Sequence, residues 1–158
     1  MDYLTIEVKL IVKGATESED KDLSFLVVPI ATIFVRVSDG SWPDGYRAQL
    51  AAFATGIRRK GVDSVDHKRI ILLDSGSGNV PVAGEGGIML SRRVVSVETT
   101  GKLRVCVKAW EVSKSVKNAV KDELIFEPKE ANRSFGLLDA GFCKMEVTVA
   151  WSLVSFLG

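Results

Sequence analysis

Between residues 4 and 12 every second side chain is apolar: Leu4, Ile6, Val8, Leu10 and Val12. Thr5, Glu7, Lys9 and Ile11 stand between them. A period of two puts alternate side chains on opposite faces, so the pattern demands a strand with one face buried. The pattern returns. Leu103, Val105, Val107 and Ala109 share one phase in residues 102–112, and Met145, Val147, Val149 and Trp151 share one in residues 142–153. Residues 68–74 form another strand, centred on Ile70, Ile71, Leu72 and Leu73. Residues 88–97 resume the apolar pattern around Arg92-Arg93, and residues 123–126 form a short strand. No stretch sustains a helical period.

The remaining segments are read from their breakers. Residues 23–28 and 31–37 are apolar and β-branched, which predicts strands buried on both faces. Pro29 between them predicts two short strands meeting at a turn. Asp39-Gly40-Ser41-Trp42-Pro43-Asp44-Gly45 carries two Asp-Gly pairs and a proline, which is turn chemistry. The alanines of residues 46–55 suit a helix by composition, but their neighbours favour a strand. Thr99-Thr100-Gly101 predicts a hairpin turn into residues 102–112. Some eight to ten strands result, at the spacing of sandwiches and barrels, roughly 8–12 residues. The expected fold is all-β: a single antiparallel β-sandwich, or partly open barrel, over residues 1–158 with little helix. Its core should hold Ile6, Val8, Leu10, Val35, Val105, Val107, Met145, Val147, Val149 and Trp151, with Trp110 partly exposed.

Charge narrows the function. Lys and Arg number 21 against 20 Asp and Glu, a net charge of +1. That argues against a dedicated nucleic-acid binder. The longest apolar-rich run, residues 23–37, is interrupted by Ser24, Pro29, Thr32 and Arg36, too short and broken to span a bilayer. Glu7, Lys9 and Lys13 interrupt the early apolar residues, so no signal peptide is read. Cys106 lies on the polar phase with Arg104 and Lys108, and Cys143 on an apolar one. Thiols on opposite faces should not pair, which fits a reducing, cytoplasmic setting.

Several strings carry a family resemblance: VKGATESEDKDLSF at residues 12–25, the stretch 35–53 through its DGSWPDG turn, LSRRVVSV at 90–97, and FCKMEVTVAWS at 142–152. Together they resemble a domain-of-unknown-function family widespread in grasses. A related domain accompanies the rRNA N-glycosidase (ribosome-inactivating) domain of some cereal jasmonate-induced proteins. The resemblance implies a plant cytosolic protein tied to stress or defence, and supplies no catalytic residues. Members of that family carry additional residues ahead of the 31–37 strand; here residues 23–30 and 31–37 abut, as in a shortened form.

No catalytic constellation rises from the residues. Glu130-Ala131-Asn132-Arg133 matches the string that carries the catalytic Glu and Arg of ribosome-inactivating proteins. In that chemistry the Arg protonates the departing adenine and the Glu stabilises the oxocarbenium ion. Glu130 and Arg133 are thus the weak catalytic candidates, but they follow Pro128 and precede Gly136, no place for a buried helix. His67, the sole histidine, reads as a solvated loop residue beside Asp66 and Ser64. The glycines of residues 75–87 lead to another strand rather than a helix, so they read as a connection and not a phosphate loop. One His and two Cys make no zinc site. Asp39, Asp44, Asp63, Asp66 and Asp74 near strand ends raise calcium, but turn chemistry already explains them. Arg58-Arg59-Lys60 and Lys114, Lys117 and Lys121 read as solvated surface. Trp42, with Asp39 and Asp44, is the candidate binding residue, a tryptophan in a turn. The residues require no cofactor or metal and identify no small-molecule ligand. They favour a non-enzymatic domain that binds a protein partner or self-associates; the alternative is an enzyme, or enzyme-associated domain, linked to rRNA N-glycosidase activity. Mean hydropathy of +0.16 and an early strand with only Lys9 and Lys13 to guard its edge predict a homodimer or higher assembly.

Overall fold

The structure, a computed structural model, describes residues 26–55, 68–76, 79–114 and 116–156. Among them are nine strands and one short 3-10 turn, Val116–Asn118. The strands are β1 (Leu26–Gly40), β2 (Tyr46–Thr55), β3 (Lys68–Asp74), β4 (Gly87–Ile88), β5 (Val94–Ser96), β6 (Lys102–Glu111), β7 (Val120–Phe126), β8 (Arg133–Asp139) and β9 (Cys143–Phe156). Sheet A runs β4-β1-β9-β8, with β5 also on β1; sheet B runs β3-β2-β6-β7. All pairs are antiparallel, and the sheets stay open rather than closing into a barrel. The expected early strand over residues 3–13, with Ile6, Val8 and Leu10, lies outside the described residues.

The core lies between the sheets, and the alternation decides who enters it. Leu103, Val105, Val107 and Ala109 of β6 point in, as do Met145, Val147, Val149 and Trp151 of β9. Each large side chain removed from water this way contributes about 1.5–3 kcal/mol. Trp151 brings a polar atom inside, and its Nε1 donates to Ser134 Oγ at 2.9 Å. That buried bond ties β9 to β8 and leaves neither group unsatisfied.

Three expectations are corrected. Residues 26–40 form one strand straight through Pro29. The Pro29 carbonyl accepts from Val97 N–H at 2.9 Å, so its ring nitrogen also faces the β5 side, and the β1–β9 ladder loses no donor. This strand is also not buried on both faces. Ala31, Ile33 and Val35 are buried, whereas Phe34 and Arg36 are exposed. The turn at 99–101 is real, with Gly101 N–H donating to Glu98 O at 2.9 Å. It makes no hairpin, because β5 belongs to sheet A and β6 to sheet B.

The β7–β8 crossover brings β7 of sheet B beside β8 of sheet A. Asp139 N–H donates to Asp122 Oδ2 at 2.8 Å across this seam. A Cβ at Gly136 would sit 2.7 Å from a Leu124 methyl, so glycine permits the approach. Among the described residues no helix is long and apolar enough to cross a membrane.

Candidate functional site

Three surfaces present chemistry: one end of the sandwich and its two outer faces. The end holds the sequence-predicted residues. β1 bulges between Val37 and Asp39, then turns at Gly40, whose φ is 81° and whose Cβ would lie 2.7 Å from the Phe142 carbonyl. Only glycine fits both conditions. The turn folds Trp42 back onto the sandwich. Its ring meets Phe142 edge-on at 4.8 Å, Tyr46 lies 4.7 Å from the same ring, and Trp42 Nε1 donates to Tyr46 O at 3.3 Å. Trp42 and Asp44 line a groove of about 580 Å³ with Asn79 and Glu85. Asp39 stands apart on the bulge, exposed and outside that lining. Asp74 accepts from Gln49 and from Gly76 N–H, turn chemistry rather than ligation. No three His, Cys, Asp or Glu among the described residues could hold a metal. Asp63, Asp66 and His67 lie outside the described residues, as does Arg58-Arg59-Lys60.

The weak catalytic candidates are placed apart in role. Glu130 is exposed in the β7–β8 connection and lines a shallow hollow with Pro29, Pro128 and Leu153. Arg133 opens β8, exposed, after Asn132 at φ 72°. Neither is on a helix, and Arg133 is no part of that hollow.

The outer face of sheet A is apolar. Phe34, Thr148 and Phe135 form one rung across β1, β9 and β8. Phe34 is 45% exposed, Phe135 65% and Leu137 54%. Thr32 and Ala150 lie on the next rung, which the exposed Arg133 of β8 completes. Charge borders the Phe34–Thr148–Phe135 rung on both sides, at Arg133 and where Arg36 meets Glu146 at 3.8 Å.

The outer face of sheet B is concave. Ala51 and Cys106 face each other on its middle strands, and longer side chains stand around them. The depression holds about 500 Å³. On one side the Arg104 guanidinium lies 4.7 Å over the Phe53 ring, and Arg104 Nη1 is 3.7 Å from Glu123 Oε2. Cys106 Sγ donates weakly to Glu123 Oε2 at 3.8 Å. Burial pushes the Cys106 thiol up; Arg104 pulls it back and Glu123 adds to the rise. Opposite stand Gln49, Lys108 and Lys121, one rung of three strands. Arg69 Nη2 donates to Gln49 Oε1.

Sequence reasoning missed both outer faces. The phases of Phe34, Phe53, Arg104 and Lys108 are readable in single strands, but the rungs that gather them come from pairing.

A chain whose two open antiparallel sheets pack on one shared core is a β-sandwich, here with an aromatic outer face on one sheet and a cationic hollow on the other. More specifically, it belongs to the DUF6598 family, a domain of unknown function whose profile matches residues 30–149. No curated protein matches the chain. Among solved structures it is similar to Drosophila C2-DSL-EGF1, with 9% identity, a TM-score of 0.34, and coverage of 81% of this chain and 67% of that one.

Proposed function

We propose that this protein is a non-enzymatic binding domain that self-associates through the outer face of sheet A. The observation that carries the reading is the uncharged rung Phe34–Thr148–Phe135, which leaves two phenylalanines 45% and 65% exposed. Rings held on paired strands lose little freedom on docking, and aromatic anchors dominate association energy. The Arg36–Glu146 pair forms a polar border. A plant cytosolic setting, with a part in stress or defence, goes with this reading. Its support is the resemblance of the sequence strings and two free thiols, one buried in the core and one half-exposed on sheet B.

Sedimentation at micromolar concentration tests it. The unsubstituted chain should run as a dimer or larger, and Phe34→Ser/Phe135→Ser as a single 17.2 kDa species. Both positions are exposed, so the double variant should keep its fold. A 17.2 kDa species from the unsubstituted chain would sink the reading. So would a dimer that the double variant leaves intact.

A further inference from the structure

The hollow on sheet B carries charge that the fold does not use. Lys108 and Lys121 are direct cross-strand partners on this face. Like charges directly opposite on neighbouring strands destabilise a sheet. Neither lysine has a carboxylate partner among the described residues. The nearby carboxylates are engaged elsewhere. Asp122 accepts from the backbone N–H of Glu123 through one oxygen and of Asp139 through the other. Glu123 takes Arg104 and the Cys106 thiol. Among the described residues, Arg69 donates to the neutral Gln49 amide oxygen and has no carboxylate partner. The rim therefore keeps uncompensated positive charge beside an apolar floor.

Floor and size set the rest of the ligand. Ala51 and Cys106 are the small residues of the two middle strands, so the floor is flat and apolar. The Phe53–Arg104 stack walls one side. A volume of about 500 Å³ lies within the range of small-molecule sites. It is ample for a bicyclic body. With +1 net charge overall, the paired lysines are a local feature and no extended basic track.

We propose that this hollow binds a small organic anion with a flat apolar body. Its acidic group sits between Lys108 and Lys121, and its body lies on Ala51 and Cys106 against the Phe53–Arg104 wall. The anion cancels the repulsion between the lysines, and the body covers the thiol. Two charge-assisted contacts at the rim and apolar burial on the floor make the site selective for molecules with both features.

The probe is 8-anilinonaphthalene-1-sulfonate, with N-phenyl-1-naphthylamine as the neutral counterpart lacking the sulfonate. Fluorescence titration is run on the full chain and on Phe34→Ser/Phe135→Ser, which removes dye binding at sheet A. Both should show the saturable sulfonate site of the hollow, and the variant should show it alone. In Lys108→Gln/Lys121→Gln its affinity should fall about tenfold or more, while the neutral dye binds that variant as it binds the parent. A second measurement needs no substitution. Iodoacetamide labelling, mapped by peptide mass, should slow at Cys106 as the sulfonate probe saturates. Equal sulfonate affinity with and without the lysines would overturn the proposal. So would Cys106 labelling that proceeds at full rate in the saturated protein.

Discussion

The two outer faces of this sandwich are built on the same plan and finished differently. Each is the solvent side of a four-strand path whose inner side fills one shared core. On sheet A the outward positions of β1 and β8 hold Phe34 and Phe135 around Thr148, an uncharged aromatic rung. On sheet B the outward positions of the middle strands hold Ala51 and Cys106, and bulk and charge move to the rim. Inward residues are constrained by packing, and almost any apolar residue of the right volume serves there. Outward residues have no such duty. The contrast between an aromatic rung and a cationic hollow is therefore where the two proposed binding surfaces part.

The comparison breaks first if the core is not shared. Met145 lies under sheet A and Leu103 under sheet B, both fully buried. Met145→Ala and Leu103→Ala should each cost about 2–5 kcal/mol, since each leaves a cavity between the sheets. Urea denaturation should give similar losses for both, in one cooperative transition. A near-neutral result at either would mean that its sheet is not half of a common core.

The inner side of this plan was legible and the outer side only in part. The alternation in residues 102–112 and 142–153 placed Val105, Val107, Met145, Val147, Val149 and Trp151 in the core, where they lie. Val35 is buried as expected, and Trp110 is half-exposed. The alanine-rich residues 46–55 form β2 because Ala48, Leu50 and Ala52 fill the core against β6, overriding their helical propensity. Strand β8 escaped notice for a physical reason. Its inward phase is Ser134, Gly136 and Leu138, and its large apolar residues Phe135 and Leu137 point out. The inverted pattern that hides the strand is the same feature that makes the sheet A face apolar. Trp42 and Asp44 were legible through turn chemistry, and the structure brings them to one groove. The sheet B hollow draws on β2, β3, β6 and β7, and no single stretch encodes that register.

The two thiols sharpen the contrast between inside and outside. Cys143 is in the core behind sheet A, and Cys106 is half-exposed on sheet B, the faces that their phases predicted. Burial pushes the Cys143 thiol up to about 11, with the Asp139 carboxylate adding to the rise. A thiol raised in the folded state binds its proton more tightly there than in the unfolded chain. The stability this confers is complete below the unfolded value of 9.0 and is lost as pH climbs toward 11. The loss should reach at most about 3 kcal/mol. Denaturation between pH 8 and 11 should show it, and Cys143→Ala should flatten most of it against its own lower baseline. At pH 8.5 in the folded chain, iodoacetamide should reach Cys106 well before Cys143. Labelling of Cys143 at the rate of Cys106 would show that β9 does not hold it inside.

The smallest expected effect separates what the sheet B face does for folding from what it does for a ligand. Lys121 faces Lys108 across β7 and β6, a repulsive pair in the absence of an anion. Lys121→Glu converts it to an attractive pair. Folding stability should rise by about 0.2–1 kcal/mol at low ionic strength, and the gain should shrink in high salt because both groups are near solvent. The same change places a carboxylate where the acidic group of the ligand would sit, so binding of the sulfonate dye should be abolished. Sheet A offers no parallel: its rung of Phe34, Thr148 and Phe135 has no charge to reverse, and its association should not respond to salt in this way. A surface that gains stability as it loses binding is one whose residues are kept for the ligand at a cost to the fold. If Lys121→Glu destabilised the chain instead, the lysine pair would already be neutralised within the fold, and the case for an anion between them would fail.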